Sequence, residues 1–334
     1  QFFYMEFKEN LKNKEEEFIK KIPFIVNADP KDLWKDIPSD PQMLYHKPDD
    51  DSFSGEFIDK KIVIASKRGR SHAHEGSARD DHFACQKLFN DWQIVALADG
   101  AGSAKFARQG SKLATEKIIE YLGNLTILEQ LSDLVIQYFS QKEESISISI
   151  KKILYKEVKN LYDYLSEFSK QENIELKDLN TTLIFVLAKK FDFGYVLLTF
   201  GVGDCPINLI TETNEVQLLN RMDIGEFGGG TRFITMSEIY SSPDMIHRFG
   251  IYNFTDFQKL ILMTDGIYDP KFVVENKLED IATWEKFLED LDGKNEECTK
   301  VDFLNDENIE QQLLQWINFW SKGNHDDRTL AIVY

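Results

Sequence analysis

The sequence is poor in cysteine, in positive charge and in long apolar runs, and each shortage excludes something. Its three cysteines, Cys85, Cys205 and Cys298, lack the spacing of a zinc site and cannot all pair with one another. A disulfide-stapled fold is excluded, and a reducing, cytoplasmic compartment is expected. Lysine and arginine number 39 against 57 aspartates and glutamates, leaving a net charge of -18. Nucleic acid and anionic membrane surfaces would be repelled, so neither is expected as a partner. No apolar run approaches the length of a membrane span, no signal-peptide apolar stretch followed by a small-residue cleavage site is legible at the N-terminus, and Met5 is the expected natural start. What is present in quantity is core material: 42% hydrophobic and 13% aromatic residues in a chain of 334, enough to bury a large interior.

Along the chain, Phe7, Leu11, Phe18 and Ile19 recur at loosely helical spacing, predicting an amphipathic helix over Met5–Lys21. From Pro23 to Phe57 the prolines cluster beside the acidic run Asp49–Asp51, which predicts an irregular linker. Residues 1–57 are therefore expected to wrap a domain spanning 58–334. Within that domain Lys61–Ser66, Thr181–Ala188 and Tyr195–Val202 read as strands. Helical patterns fill 125–172 and recur at 281–291 and 309–320, giving helical insertions near 125–172 and 275–322. Strands in the middle with helices flanking them make an α+β class.

Three apolar runs end in acids. Ile94–Ser103, IVALADGAGS, delivers Asp99 at the end of a buried strand, and Gly100 permits close backbone approach. Leu260–Gly266, LILMTDG, repeats the pattern with Asp265, and Asp326-Asp327 precede the apolar run Thr329–Tyr334. A single Asp-Gly pair reads more readily as a hairpin turn than as a ligand. Three acids at strand ends could converge, however, and an all-carboxylate cluster suits Mg²⁺ or Mn²⁺ and suits zinc poorly. The acidic whole would also repel a phosphorylated substrate, so a phosphate site would need bound metal or a few basic side chains. Arg68-Gly69-Arg70-Ser71-His72 is either that or a solvated loop. The stretch Asp223–Thr235, containing GEFGGGTRF, lacks the ending of a nucleotide-binding loop and reads as a mobile flap from which Arg232 could approach substrate.

As a set, these segments resemble the metal-dependent serine/threonine protein phosphatases of type 2C. Ala78-Arg79-Asp80-Asp81 resembles the family's early acid pair and Asp99-Gly100 its metal-bridging Asp-Gly. Gly203-Asp204-Cys205 is similar to the central Gly-Asp-Ser, Thr264-Asp265-Gly266 to the Ser-Asp-Gly, and Asp326-Asp327-Arg328-Thr329 to the closing Asp-Asn-x-Thr. Ser71-His72 followed by Gly76 resembles a variant opening of the bacterial branch. The resemblance covers Ile62 to Tyr334.

The resemblance implies a four-layer α-β-β-α sandwich and hydrolysis of phosphoserine and phosphothreonine on proteins by a metal-bridging water. It implies two tightly bound Mg²⁺ or Mn²⁺ ions and leaves room for a third, weaker one. Asp99 would be shared by both ions and Gly100 would add its carbonyl, with Asp265 and Asp326 completing the first ion. Asp81 would steer waters on the second, and Asp80 is left open as a direct ligand. Asp204 would help hold the third ion. Asp81, Asp99 and Asp265 are thus the expected catalytic residues. Two positions depart from the family: Ala101 replaces a proposed proton donor, and Gly76 occupies the place of a phosphate-binding arginine, for which His72 or Arg79 is the candidate substitute. The expected partner is a phosphorylated protein, with a serine/threonine kinase or its targets as the source. A module that kept the fold and lost turnover is the alternative.

Overall fold

The computed structural model describes residues 2–9, 18–25, 29–223 and 230–334. The chain begins with two antiparallel strands, β1 (Phe2–Glu9) and β2 (Phe18–Ile25), which pair from Phe2 opposite Ile25 to Glu9 opposite Phe18. This corrects the helix expected over Met5–Lys21, of which residues 10–17 lie outside the described residues. The local pattern explains the difference: Met5 and Phe7 alternate with Glu6 and Lys8, a period of two. Pro23, opposite Tyr4, is tolerated because both strands of a two-stranded ribbon are edges.

The expected linker is also shorter than its proline content predicts. Its last residues form β3 (Asp50–Phe57), an edge strand paired along its length with β4 (Lys60–Lys67). The sandwich therefore starts at Asp50 and not after Phe57. The chain continues through α1 (Arg70–Glu75), β5 (His82–Lys87) and β6 (Gln93–Ala98), then the helices α2 (Ala107–Leu122), α3 (Leu125–Gln141) and α4 (Glu144–Gln171). It returns through β7 (Leu183–Phe191), β8 (Gly194–Val202), β9 (Ile207–Ile210) and β10 (Val216–Leu218), and then α5 (Ser237–Ser241), β11 (Phe249–Phe254) and β12 (Lys259–Met263). The last elements are α6 (Asp265–Phe272), α7 (Ile281–Leu291), α8 (Ile309–Trp316) and β13 (Arg328–Val333).

Two antiparallel sheets result, one ordered β10-β9-β12-β13-β4-β3 and the other β11-β8-β7-β6-β5. Strand periodicity explains the layering. On β4, Ile62 and Ile64 face the opposite sheet, where they meet Val95, Leu97, Ile184 and Val186, while Val63 and Ala65 face outward. Those outward residues pack under Trp284, Phe287 and Trp316 of α7 and α8. On β6 the other phase, Ile94 and Ala96, packs under Leu113, Ile118, Leu131 and Leu154 of α2, α3 and α4. Both faces of the central strands are covered, which is why they read as continuous apolar runs. The expected α-β-β-α sandwich is the fold.

Candidate functional site

The ends of β6, β12 and the approach to β13 meet at one mouth of the sandwich. Asp99 leaves β6 with its backbone fixed on the neighbouring strand: its N–H donates to Thr182 Oγ1 at 2.8 Å, and its carbonyl accepts from the Thr182 N–H at 2.8 Å. A Cβ at Gly100 would lie 2.8 Å from the Asp80 carbonyl oxygen and 2.9 Å from Ala107 Cβ. Only glycine lets the Asp99 loop lie against the Asp80 backbone and the start of α2. Gly266 plays the same part at the start of α6, where a Cβ would lie 1.9 Å from the Asp327 carbonyl oxygen. The two glycines bring Asp99 and Asp265 to the same place as the Asp80-Asp81 and Asp326-Asp327 pairs.

Asp327 ties this region together. Its Oδ1 accepts from the Gly69 N–H at 2.6 Å and faces His72 Nδ1 at 2.9 Å, and its Oδ2 accepts from the Asp80 N–H at 2.5 Å and the Asp81 N–H at 3.3 Å. Burial opposes its charge, but His72 and these donors hold it down at about 2. In the same way burial would lower His72, and Asp327 overrides it, pushing the imidazole up to about 10 with help from Asp80. A protonated imidazole therefore stands at the cluster at neutral pH.

The remaining acids lack such support. Burial and then Asp327 raise Asp80 to about 6 and Asp81 to about 7, the latter although Thr264 and Thr329 hydroxyls donate to its Oδ2 at 2.8 and 2.7 Å. Asp99 is pushed well above the carboxylate range by burial and then by Asp265, and Asp265 by burial and then by Asp326 and Asp204. Asp204 and Asp326 are raised as well, chiefly by burial. Asp265 Oδ1 and Asp80 Oδ1 are buried without a hydrogen-bond partner among the described residues. Oxygen donors that repel one another and lack partners fit a hard divalent cation, whose charge would neutralise them. Donor atoms of Asp99, Asp204 and Cys205 lie within 4.8 Å of one another, and so do those of His72, Asp326 and Asp327.

Of the two basic candidates, the structure brings only His72 to the carboxylates. Arg79 is fully buried and reaches only toward Asp51, 3.5 Å away on β3, with Nε and Nη1 unpartnered among the described residues. Arg79, Asp80 and Asp81 lie in irregular backbone just before β5: the Asp80 and Asp81 N–H groups are held on Asp327 Oδ2, while the Arg79 side chain lies on the β3 side. Arg232 is half exposed, with Nε 3.9 Å from Asp223. Arg248 holds Asp223 through two contacts of 2.8 Å, anchoring the root of the Gly-rich stretch; the flap reading itself falls partly on residues 224–229, outside the described residues.

Sequence reasoning missed Lys47. This side chain, buried in what reads as linker, donates to the carbonyls of Asp80 at 3.1 Å and Asp81 at 2.6 Å and to Ser111 Oγ at 3.0 Å. It braces the acid pair from behind. Nothing local marks it, since a lysine before a proline in a polar stretch looks like any solvated residue.

The sequence pattern described as protein phosphatase 2C matches residues 68–318. No protein of curated function matches the sequence. Crystal structures of two variants of a bacterial serine phosphatase superpose with TM-scores of 0.50 and 0.51, each 15% identical and covering 82% of this chain and 97% of theirs. The serine/threonine phosphatase of Staphylococcus aureus gives a TM-score of 0.49 at 13% identity, over 81% of this chain and 93% of that one. The first two share the sandwich with this chain, and the family pattern spans the segments that carry Asp80, Asp81, Asp99, Asp204 and Asp265. The chain belongs to the protein phosphatase 2C family.

Proposed function

We propose that the protein hydrolyses phosphoserine and phosphothreonine on proteins with the help of two Mg²⁺ or Mn²⁺ ions and a weaker third. The observation that carries this reading is the unbalanced charge at Asp99: the groups acting most strongly on it, Asp265, Asp81, Cys205 and Asp326, are all acidic. A buried carboxylate surrounded by others is costly unless a cation neutralises it. When bound, such ions supply Lewis acidity and a water acidic enough to act as nucleophile near neutral pH.

Each residue would then have a task. Asp99 would be the shared ligand, with the Gly100 carbonyl as a further donor. Asp265 and Asp326 would hold one ion. Asp81, fixed by two threonine hydroxyls, would orient waters of the other, and the Asp80 Oδ1, unpartnered among the described residues, would be available as a direct ligand. Asp204 would serve the third ion. His72, kept protonated by Asp327, presents the cation that a phosphate oxygen needs where the family has arginine, a role that the burial of Arg79 disfavours for that residue. Ala101 has no titratable group, so either water or a different residue would protonate the leaving alkoxide. The catalytic domain occupies the sandwich, the family branch is bacterial and the setting cytoplasmic, and the substrate is a protein phosphorylated by a serine/threonine kinase, or the kinase itself.

Hydrolysis of an aryl phosphate and of phosphoseryl and phosphothreonyl peptides, with Mn²⁺ and with chelator, tests the reading. Mn²⁺-dependent release from the peptides is expected. Metal binding without turnover on any of them would instead identify a binding module that kept the fold.

A further inference from the structure

The basic stretch Arg68-Gly69-Arg70-Ser71-His72 divides between two places. His72 faces the carboxylate cluster, whereas Arg68 and Arg70 line a separate cavity of about 370 Å³ between residues 31–50 and the sandwich. That volume suits a small ligand. In a chain of net charge -18 the cavity is basic, because Lys31, Lys35 and Lys67 join the two arginines. Its three acids are already engaged: Asp36 and Asp49 each pair with Arg68 at 3.2 Å, and Asp50 pairs with Lys67 at 2.9 Å. Lys31, Lys35 and Arg70 have no carboxylate within ion-pair distance among the described residues.

These cations are held in place. Arg70 Nη1 and Nη2 donate to the carbonyls of Phe319 at 3.1 Å and Asn318 at 2.9 Å, which fixes the guanidinium without neutralising it. The Lys31 ammonium and the Arg70 guanidinium stand 5.7 and 5.3 Å from the centre of one ring, Trp320, so two like charges from separate segments are gathered at one spot. The aromatic wall is fixed as well, with Trp34 4.2 Å from the His325 ring and 5.3 Å from the His74 ring, centre to centre. Like charges gathered without a counterion repel, and an anion among them removes that cost. A recess that shares Lys67, Arg68, Arg70 and Asn318 with the cavity has Asp326 in its wall, but its volume of about 10 Å³ admits about one water molecule. An anion in the cavity is therefore kept apart from the carboxylate cluster.

We propose that this cavity binds a small phosphorylated molecule carrying more than one negative charge, held by Lys31, Lys35 and Arg70. An arginine fork beside two lysine point charges suits a phosphate ester or diphosphate better than a single carboxylate. Bound between the two walls, the ligand ties to the sandwich the segment whose Lys47 braces Asp80 and Asp81.

The test is calorimetric titration of inorganic pyrophosphate into the full chain, stripped of metal by a chelator that is then dialysed away. Binding of a single pyrophosphate is expected. In the double variant Lys31→Glu, Lys35→Glu the affinity should fall by at least about tenfold, and Arg70→Met should weaken it too. His72→Gln, altered at the carboxylate cluster, should bind as the parent does. Absence of binding to the parent overturns the proposal, as does unchanged affinity in the lysine variant. Loss of binding in His72→Gln would place the anion at the cluster and overturn it as well, and so would an equal heat from chloride at matched ionic strength, which is charge screening alone. Both lysines are exposed, so their replacement leaves the packing intact and decides the matter even if Arg70→Met does not fold. Neither metal nor turnover enters the measurement: a chain that binds pyrophosphate here and hydrolyses nothing refutes the phosphatase reading alone, and one that hydrolyses with Mn²⁺ and binds none refutes this site alone.

Discussion

Lys47 Nζ lies 2.6 Å from the carbonyl oxygen of Asp81 and 3.1 Å from that of Asp80, on a side chain that is almost wholly buried. Burial, followed by Arg79, pushes its ammonium well below the ordinary lysine range. A segment outside the paired strands therefore holds the backbone that aims two acids of the cluster.

Lys47→Met keeps the length of the side chain and removes the donor. Buried acceptors left unsatisfied cost about 1–3 kcal/mol, so denaturant unfolding should show a loss of that order, together with a higher Mn²⁺ requirement for turnover. A variant with unchanged stability and unchanged Mn²⁺ requirement would show that Lys47 only fills space.

The pH dependence of the metal-free protein follows from the acid pair. Asp80 and Asp81 sit at about 6 and about 7 against an ordinary 3.8, so their contribution to stability is present below 3.8 and is lost as pH rises through 6 and 7. His72, raised from 6.5 to about 10, stabilises fully below 6.5 and loses that contribution as pH rises through 10. Asp327, lowered to about 2, stabilises above 3.8 and loses that contribution only as pH falls through 2. Between about pH 4 and about pH 7 the acid pair dominates, and the melting temperature of the metal-free protein should fall. Mn²⁺ relieves the repulsion, so the rise in Tm that it produces should be larger at the higher pH. Equal rises at both would mean that the acids do not meet the ion.

Asp99→Asn removes one of the mutually repelling charges and keeps the shape. The metal-free variant should melt higher than the parent, and Mn²⁺-stimulated hydrolysis should be almost abolished. Near-normal hydrolysis would remove Asp99 from its proposed position as shared ligand.

Asp204 accepts a hydrogen bond from Thr231 Oγ1 at 2.7 Å and otherwise stands at the edge of the cluster. Asp204→Ala should keep the fold and the two tighter ions, lose much of the turnover and need more Mn²⁺ to recover any. Wild-type turnover across an Mn²⁺ titration would leave Asp204 as a residue of the turn after β8 and nothing more.

Period-two alternation and continuous apolar runs determined β4, β6, β7, β8, β12 and β13 from the sequence alone, because a strand covered on both faces has no choice of composition. The acids were legible for a related reason. Asp99, Asp265 and Asp326 each follow or precede such a run, and a polar residue at that boundary is forced to the mouth of the sheet. The family pattern added the order in which they come. Where local pattern was ambiguous the sequence misled: widely spaced aromatics in Met5–Lys21 fit a helix loosely and a strand in parts. What tertiary structure alone decided are contacts between residues far apart in the chain. Lys47 reaches Asp81 across 34 positions, and Cys205 comes to Asp99 only because β6, β7 and β8 pair side by side. Arg79 and Asp80 are neighbours in sequence with opposite fates: Asp80 meets His72 at the cluster, while Arg79 reaches toward Asp51 on β3. The sequence set which groups were available, and the pairing of the strands set which of them could share a cation.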